Sequence, residues 1–255
     1  MKVLDTALYD QGFDHAVTEF ILLLKQKKEN RLISPSDANV LVEAKINPDF
    51  KKVLEQYYWN LPDGIPSVWI LKLKGAKNAA RCSGPDFFKA IIVQTAGLPI
   101  RHFLCGGAAG VAEQLAESCK KWGNSNISGT FCPPFEGMKE PEMKYLGQTI
   151  NQSKTNIVWV GLGAPKQIYF SHKLSSYCTV HAILPVGAAF DFHTGKIKKA
   201  PLWLQKLGLE WFYRLLKEPK RLFKRYRKVV PAFLLYGMVD LLSFYFKKIF
   251  YKSNS

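Results

Sequence analysis

Cysteine is scarce and unpatterned in this 255-residue chain. Its five thiols, Cys82, Cys105, Cys119, Cys132 and Cys178, are odd in number and never closer than 13 residues, which argues against a disulfide frame or a zinc site. Reduced thiols in a cytosolic protein fit that pattern better. The opening residues, "MKVLDTALYD", hold no apolar core segment and no small-residue cleavage site, so no signal peptide is expected. Internal repeats and low-complexity tracts are also missing. A chain that is 47% hydrophobic has enough apolar mass to bury a real core, and nothing in it suggests disorder.

Acidic residues are the other shortage, 20 against 36 Lys and Arg, for a net charge of +16. The imbalance is local. Residues 196–255 hold 15 basic and 3 acidic side chains, whereas residues 1–195 hold 21 and 17 and are nearly neutral. A uniformly basic protein is thereby excluded; a body, 1–195, carries a basic appendage, 196–255. Nucleic acid, an anionic membrane surface or substrate phosphates could each answer such a tail.

Along the body, helix-period segments alternate with short β-rich runs. "HAVTEFILLLKQ" predicts a helix, "RLIS" a strand, "SDANVLVEA" a helix capped by Ser36, and "YYWNLPDG" a strand ending in a turn. Then follow "RHFLCGG" (strand, Gly turn), "AAGVAEQLAESCKKW" (helix), "NISGTF" (strand), "NIVWVGLG" (strand, Gly turn), "PKQIYFSHKL" (helix) and "VHAILPVG" (strand). Strands spaced by helices point to an α/β fold with a mostly parallel, Rossmann-like sheet covered on both faces.

In such sheets ligands collect at the carboxyl ends of strands, so the strand-to-helix turns matter most. Asp63, in "LPDG", is placed where a partly desolvated carboxylate can act as a general base, although Asp-Gly is also a common turn pair. Gly106, Gly107 and Gly110 precede a helix, where free backbone N–H groups suit a phosphate; their spacing departs from a dinucleotide fingerprint. In "VWVGLGAPKQ", Gly161, Gly163 and Pro165 lead into a helix whose first residues, Lys166 and Gln167, can hold a diphosphate and a base or sugar edge. In "PVGAAFDFHTG", Gly187 lets backbone approach a ligand and Asp191 can accept hydrogen bonds from hydroxyls or loop amides. Asp191 and His193 alone are too few to make a metal site.

"LPDGIPSVW", "RCSGPDF", "VGLGAPKQ" and the 40-residue stretch from Gly187 to Tyr226, beginning "GAAFDFHTGKIKKAPLW", together resemble the WecG/TagA/CpsF family of bacterial glycosyltransferases, glycosyltransferase family 26. The likeness runs in order from about residue 30 to residue 228. It implies transfer of a sugar from UDP-N-acetylmannosamine or a related UDP-sugar to a polyprenyl-diphosphate-linked sugar. That reaction would serve surface polysaccharide or teichoic acid synthesis at the cytoplasmic face of the bacterial inner membrane, with inversion and with neither metal nor other cofactor. The family's catalytic aspartate falls on Asp63, its nucleotide-binding Gln and Asp on Gln167 and Asp191, and its substrate-binding arginines on Arg214, Arg221 and the Lys224-Arg225 pair. Where the family has Thr-x-Asn, this chain has "SPSDAN", making Ser36 and Asp37 the candidates. The Glu that usually follows "PKQ" is Ile168, and Arg-Ala-Pro becomes Lys199-Ala200-Pro201. These departures bear on sugar specificity.

After Pro219, steps of 100° put Arg221, Lys224, Arg225 and Lys228 on one arc and Leu222, Tyr226, Val229 and Val230 opposite, which suits an anionic membrane interface. "VVPAFLLYGMVDLLSFYF" (229–246) is 18 residues long, interrupted by Pro231, Gly237 and Asp240. It reads as interfacial or re-entrant, with Lys247, Lys248 and Lys252 at the headgroups. Nucleic acid fits less well, since no nucleic-acid module is recognisable in the body. A nucleic-acid-binding protein and a non-catalytic scaffold of a polysaccharide assembly remain the rival classes, and a homo-oligomeric state stays open.

Overall fold

The computed structural model describes residues 1–134 and 137–253, the last four by backbone alone. A small antiparallel hairpin, β1 (Lys2–Val3) and β2 (Thr6–Ala7), precedes α1 (Phe13–Leu23). The sheet is built from β3 (Arg31–Ser36), β4 (Trp59–Pro62), β5 (His102–Gly106), β6 (Ile127–Phe131), β7 (Ile157–Gly161) and β8 (Ala182–Pro185). Its connections carry α2 (Ala38–Ile46), α3 (Pro48–Leu54), α4 (Ile65–Leu73), α5 (Gly84–Gln94), α6 (Val111–Lys121), α7 (Glu140–Gln152) and α8 (Lys166–Leu174). Beyond β8 come α9 (Ala189–His193), α10 (Leu202–Lys206), α11 (Glu210–Lys217) and α12 (Pro219–Ser253).

The six strands lie in the order β4-β3-β8-β7-β5-β6, every neighbouring pair parallel. This is a Rossmann-like α/β sheet. Alternation along each strand sends side chains to two cores, as the period of two requires. Leu104, Ile157, Trp159 and Leu184 meet Phe20, Phe88 and Leu115 of α1, α5 and α6 on one face. Phe103, Val158, Val160 and Ile183 meet Val40, Phe50, Leu146 and Ile168 of α2, α3, α7 and α8 on the other.

The chain leaves β5 toward β6 but leaves β7 toward β8, on the opposite side, so a crevice opens at the carboxyl edge where the order reverses. The turn there is tight. The Gly107 N–H donates to the Gly161 carbonyl at 2.9 Å, and a Cβ on Gly106 would lie 2.6 Å from Gly161 backbone atoms. Gly106 is therefore required by the close approach of two backbones, whatever ligand the turn receives.

Two local expectations change. The cap of α2 is Asp37 rather than Ser36: the Asp37 carboxylate accepts from the Val40 N–H at 3.0 Å, while Ser36 is the last residue of β3. Pro165 caps α8 instead of standing inside its first turn.

The appendage departs further from expectation. Residues 219–253 form one uninterrupted helix that runs through Pro231, so 229–246 is no re-entrant hairpin. Proline there removes one backbone donor, and the inward face supplies the compensation. Val229 and Phe233 are buried with Leu41, Val42, Val68 and Leu71 of α2 and α4. A Cβ on Gly237 would lie 3.0 Å from Ile70 Cδ1, so this glycine lets α12 approach α4 closely. The apolar side assigned from the sequence to a membrane is thus partly docked on the body, with Leu222 and Val229 buried and Tyr226 and Val230 half-buried.

By length and composition Pro219–Ile249 could cross a bilayer. The body nevertheless holds it. Lys74 Nζ meets Asp240 Oδ2 at 2.6 Å, Asp240 also accepts the Leu4 N–H at 3.0 Å, and Tyr245 donates to the Leu73 carbonyl at 2.6 Å. Turning outward instead are Leu234, Leu235, Met238, Val239, Leu242, Phe246 and Ile249. The Lys252 side chain lies outside the described residues.

Because Lys74 is nearly enclosed, Asp240→Ala would strand a buried charge. Such a loss costs about 3 kcal/mol or more, whereas replacing both partners with apolar residues is far milder. Denaturant melts should therefore show Asp240→Ala strongly destabilised and Lys74→Met/Asp240→Leu largely recovered. An Asp240→Ala variant within about 1 kcal/mol of the unaltered protein would show that this pair does not hold the helix.

Candidate functional site

Asp63 directly follows β4, and α4 begins two residues later with Pro66 in its first turn, so the carboxylate is held at the sheet edge by rigid elements. Its N–H reaches the Ser36 carbonyl at 3.4 Å, and its own carbonyl accepts from Arg81 Nε at 3.0 Å. The side chain is 24% exposed, with one oxygen 3.9 Å from Arg81 Nη2. Burial pushes its pKa up to about 8; Arg81 opposes this, while Asp37 and Glu210 add to it. A carboxyl group of that kind is a competent proton acceptor near neutral pH.

Gln167 belongs to the turns after β7 and β8, but in an unexpected way. It is buried beneath Gly187, with Oε1 accepting from the Gly163 N–H at 3.0 Å and Nε2 donating to the Pro185 carbonyl at 3.1 Å. Its amide ties the two turns together and shapes the floor between them. Lys166, the first helical residue of α8, is exposed. Gly107 lies on the neighbouring turn, beside Gly161.

Asp191 stands in α9 and is half-buried. His193 is taken by the core: Nε2 lies 2.8 Å from the Pro85 carbonyl, and the ring packs on Phe88 and Trp122. Among the described residues no three His, Cys, Asp or Glu side chains converge as a metal site would need. Ser36 is likewise internal. Its hydroxyl is buried against Ser34 and Asn60, and the Asp37 carboxylate already serves as a helix cap.

The appendage reaches these turns. The Arg214 guanidinium lies over the Phe192 ring, 5.4 Å from its centroid, one residue from Asp191. Arg81 is gripped by the appendage from above, its Nη1 donating to Gln205 at 3.0 Å and its Nη2 to Glu210 at 2.7 Å. Arg221 is exposed and paired with Glu218; Lys224 is exposed, and Arg225 stacks on Tyr226 at 5.2 Å. The Nε atoms of Arg214 and Arg225 are buried with no acceptor among the described residues. Arg214 Nη2 stands 4.0 Å from Glu218 Oε2, so Glu218 serves both Arg214 and Arg221.

Arg81 and Glu210 are the residues that sequence reasoning missed. Both lie inside quoted motifs, yet 129 positions separate them, and only the fold brings them to Asp63.

The order of these turns is matched as a whole by the model of the glycosyl transferase WecG/TagA/CpsF family, over residues 1–246. The chain belongs to that family. A curated relative from Bacillus spizizenii, N-acetylglucosaminyldiphosphoundecaprenol N-acetyl-beta-D-mannosaminyltransferase, is 28% identical over 212 residues, covering 82% of this chain and 81% of its own. This WecG/TagA/CpsF glycosyltransferase thus presents Asp63, the Gln167 bridge, Asp191 and Arg214 along one edge of its sheet. β4 and β8 are separated by a single strand, so their ends lie on the order of 10 Å apart.

Proposed function

We propose that the chain transfers a sugar, N-acetylmannosamine or a close relative, from a UDP-sugar to a polyprenyl-diphosphate-linked N-acetylhexosamine, for a bacterial cell-envelope polymer. The observation that carries this reading is Asp63, a carboxyl with its pKa raised to about 8 at the carboxyl end of β4, with Arg81 standing between it and Glu210 of the appendage. Asp63 takes the acceptor hydroxyl proton as that oxygen bonds to the anomeric carbon, and the bond to the UDP oxygen breaks on the opposite face. The anomeric centre inverts. Arg214 and Arg225 of the appendage stabilise charge growing on the departing diphosphate, the role that a preorganised cation fills best in a water-poor site. The relative's printed acceptor, a sugar on a diphosphate lipid, supports the acceptor class assigned here.

In this reading the enzyme works at the cytoplasmic face of the membrane. The outward apolar face of α12, flanked by Lys247 and Lys248, rests on an anionic leaflet and brings the crevice to the lipid-borne acceptor. Catalysis needs no divalent ion, because protein cations meet the diphosphate.

Calorimetry with UDP tests the donor side. Gln167→Ala frees both turns and Asp191→Ala removes an acceptor, so each should weaken UDP by about tenfold or more, 1.4 kcal/mol. Unchanged affinity in both variants would move the donor site elsewhere. Turnover should persist in EDTA, and a strict divalent-metal requirement would contradict the metal-free reading.

A further inference from the structure

Arg81 sits between two carboxylates of different origin. Asp63 comes from the body turn after β4, and Glu210 from the first residue of α11 in the appendage. The guanidinium is not shared evenly. Nη2 is 2.7 Å from Glu210 Oε2 but 3.9 Å from Asp63 Oδ1, while Nη1 is held by Gln205 of α10 at 3.0 Å. Only Nε stays with the Asp63 turn, where it bonds the backbone carbonyl at 3.0 Å, and the carboxylate itself is left with the guanidinium at 3.9 Å, beyond hydrogen-bond reach.

From this geometry we infer that Glu210 is a positioning residue: docked with the appendage, it draws Arg81 away from Asp63 and so keeps the Asp63 carboxylate free to accept a proton. The inference rests on the reading of Asp63 as the base. A closed, hydrogen-bonded Arg81–Asp63 pair would make a poorer base, since contact would strengthen the lowering that Arg81 already exerts from 3.9 Å. The groups facing Asp63 bear this out in sign. Arg81 pulls its pKa down, whereas burial, Asp37 on the β3 turn and Glu210 push it up, and the Gly84 backbone favours the charged form. Glu210 acts twice in one direction, by its own charge and by its hold on Arg81. The docked appendage thereby sets the proton affinity of a group in the body.

The test is the titration of the Asp63 carboxyl in the full-length protein, followed by carbon-13 NMR of labelled aspartate and assigned with Asp63→Asn. Glu210→Gln keeps the shape and loses the charge, so Arg81 closes on Asp63 and the midpoint falls by about one unit or more. Glu210→Asp, which retains the charge, stays closer to the unaltered protein, and Arg81→Gln raises the midpoint. In the Arg81→Gln background, Glu210→Gln should move it by less than half as much, because the direct charge effect alone remains. An unchanged midpoint in Glu210→Gln, or an equal shift with and without Arg81, overturns the inference. The rising limb of turnover against pH should follow the NMR midpoint in each variant. Should the midpoint move while that limb does not, Glu210 positions Arg81 as inferred but Asp63 is not the base.

Discussion

Asp63→Asn lowers kcat by about 10²-fold or more while UDP affinity stays close to that of the unaltered protein. The amide fills the same space between Arg81 and the Gly84 backbone, so the crevice keeps its form and loses only the proton acceptor. The pH profile gives the same residue a second signature. A base must be deprotonated to work, and the folded pKa is raised to about 8, so turnover climbs as pH rises through that value and falls away below it. Asp63→Asn abolishes the climb. Near-normal kcat in the Asn variant, or a flat profile from pH 6 to 9 in the unaltered enzyme, removes Asp63 from the mechanism.

Arg214→Ala should cost about 10²- to 10³-fold in turnover on a soluble acceptor analogue, the scale of losing one preorganised partner of developing charge. The guanidinium lies over Phe192 beside Asp191, is only 18% exposed, and has Glu218 at 4.0 Å from Nη2, so it is held in place near the turn after β8. Arg221 shares Glu218 with Arg214 but is 55% exposed against 18%, and its replacement should cost much less. The membrane attachment proposed for α12 is separable from the proposed chemistry. Charged replacements at Leu235, Met238 and Leu242, on the outward face of α12, should release the protein from anionic vesicles and leave turnover on the soluble analogue nearly intact. Sedimentation and turnover on the same variants decide it. If Arg214→Ala keeps full activity on the soluble analogue, the appendage is an anchor and its catalytic role is wrong. Truncation would be a poorer test, since it uncovers Leu41, Val68 and Leu71 and strands Lys74.

Much of the body was legible because parallel strands buried on both faces leave apolar runs that end in glycine turns, as at "HFLCGG" and "IVWVGLG". What local pattern could not carry was the identity of each partner. Strands of two residues, as in β1 and β2, are too short to show a period. Gln167 reads as a ligand-facing residue at a helix start; its burial beneath Gly187 depends on a strand that follows later in the chain. The amphipathic pattern of the appendage was correctly apolar on one side, but periodicity reports that a face is covered and not by what, and the body rather than lipid covers Val229 and Phe233. Asp240 read as an interruption for want of Lys74, 166 residues earlier. Arg81 had the same difficulty, since its partners Gln205 and Glu210 lie on the far side of the whole sheet in sequence.

The central claim is transfer of a sugar from a nucleotide to a lipid-linked acceptor at the Asp63 crevice. Purified full-length protein, incubated in EDTA with labelled UDP-N-acetylmannosamine and a polyprenyl-diphosphate-N-acetylglucosamine, should yield a labelled disaccharide lipid with inverted anomeric configuration, and Asp63→Asn should yield almost none. Retained configuration would contradict the single-displacement mechanism, and equal product from Asp63→Asn, or no transfer from any UDP-sugar to that lipid, would contradict the claim itself.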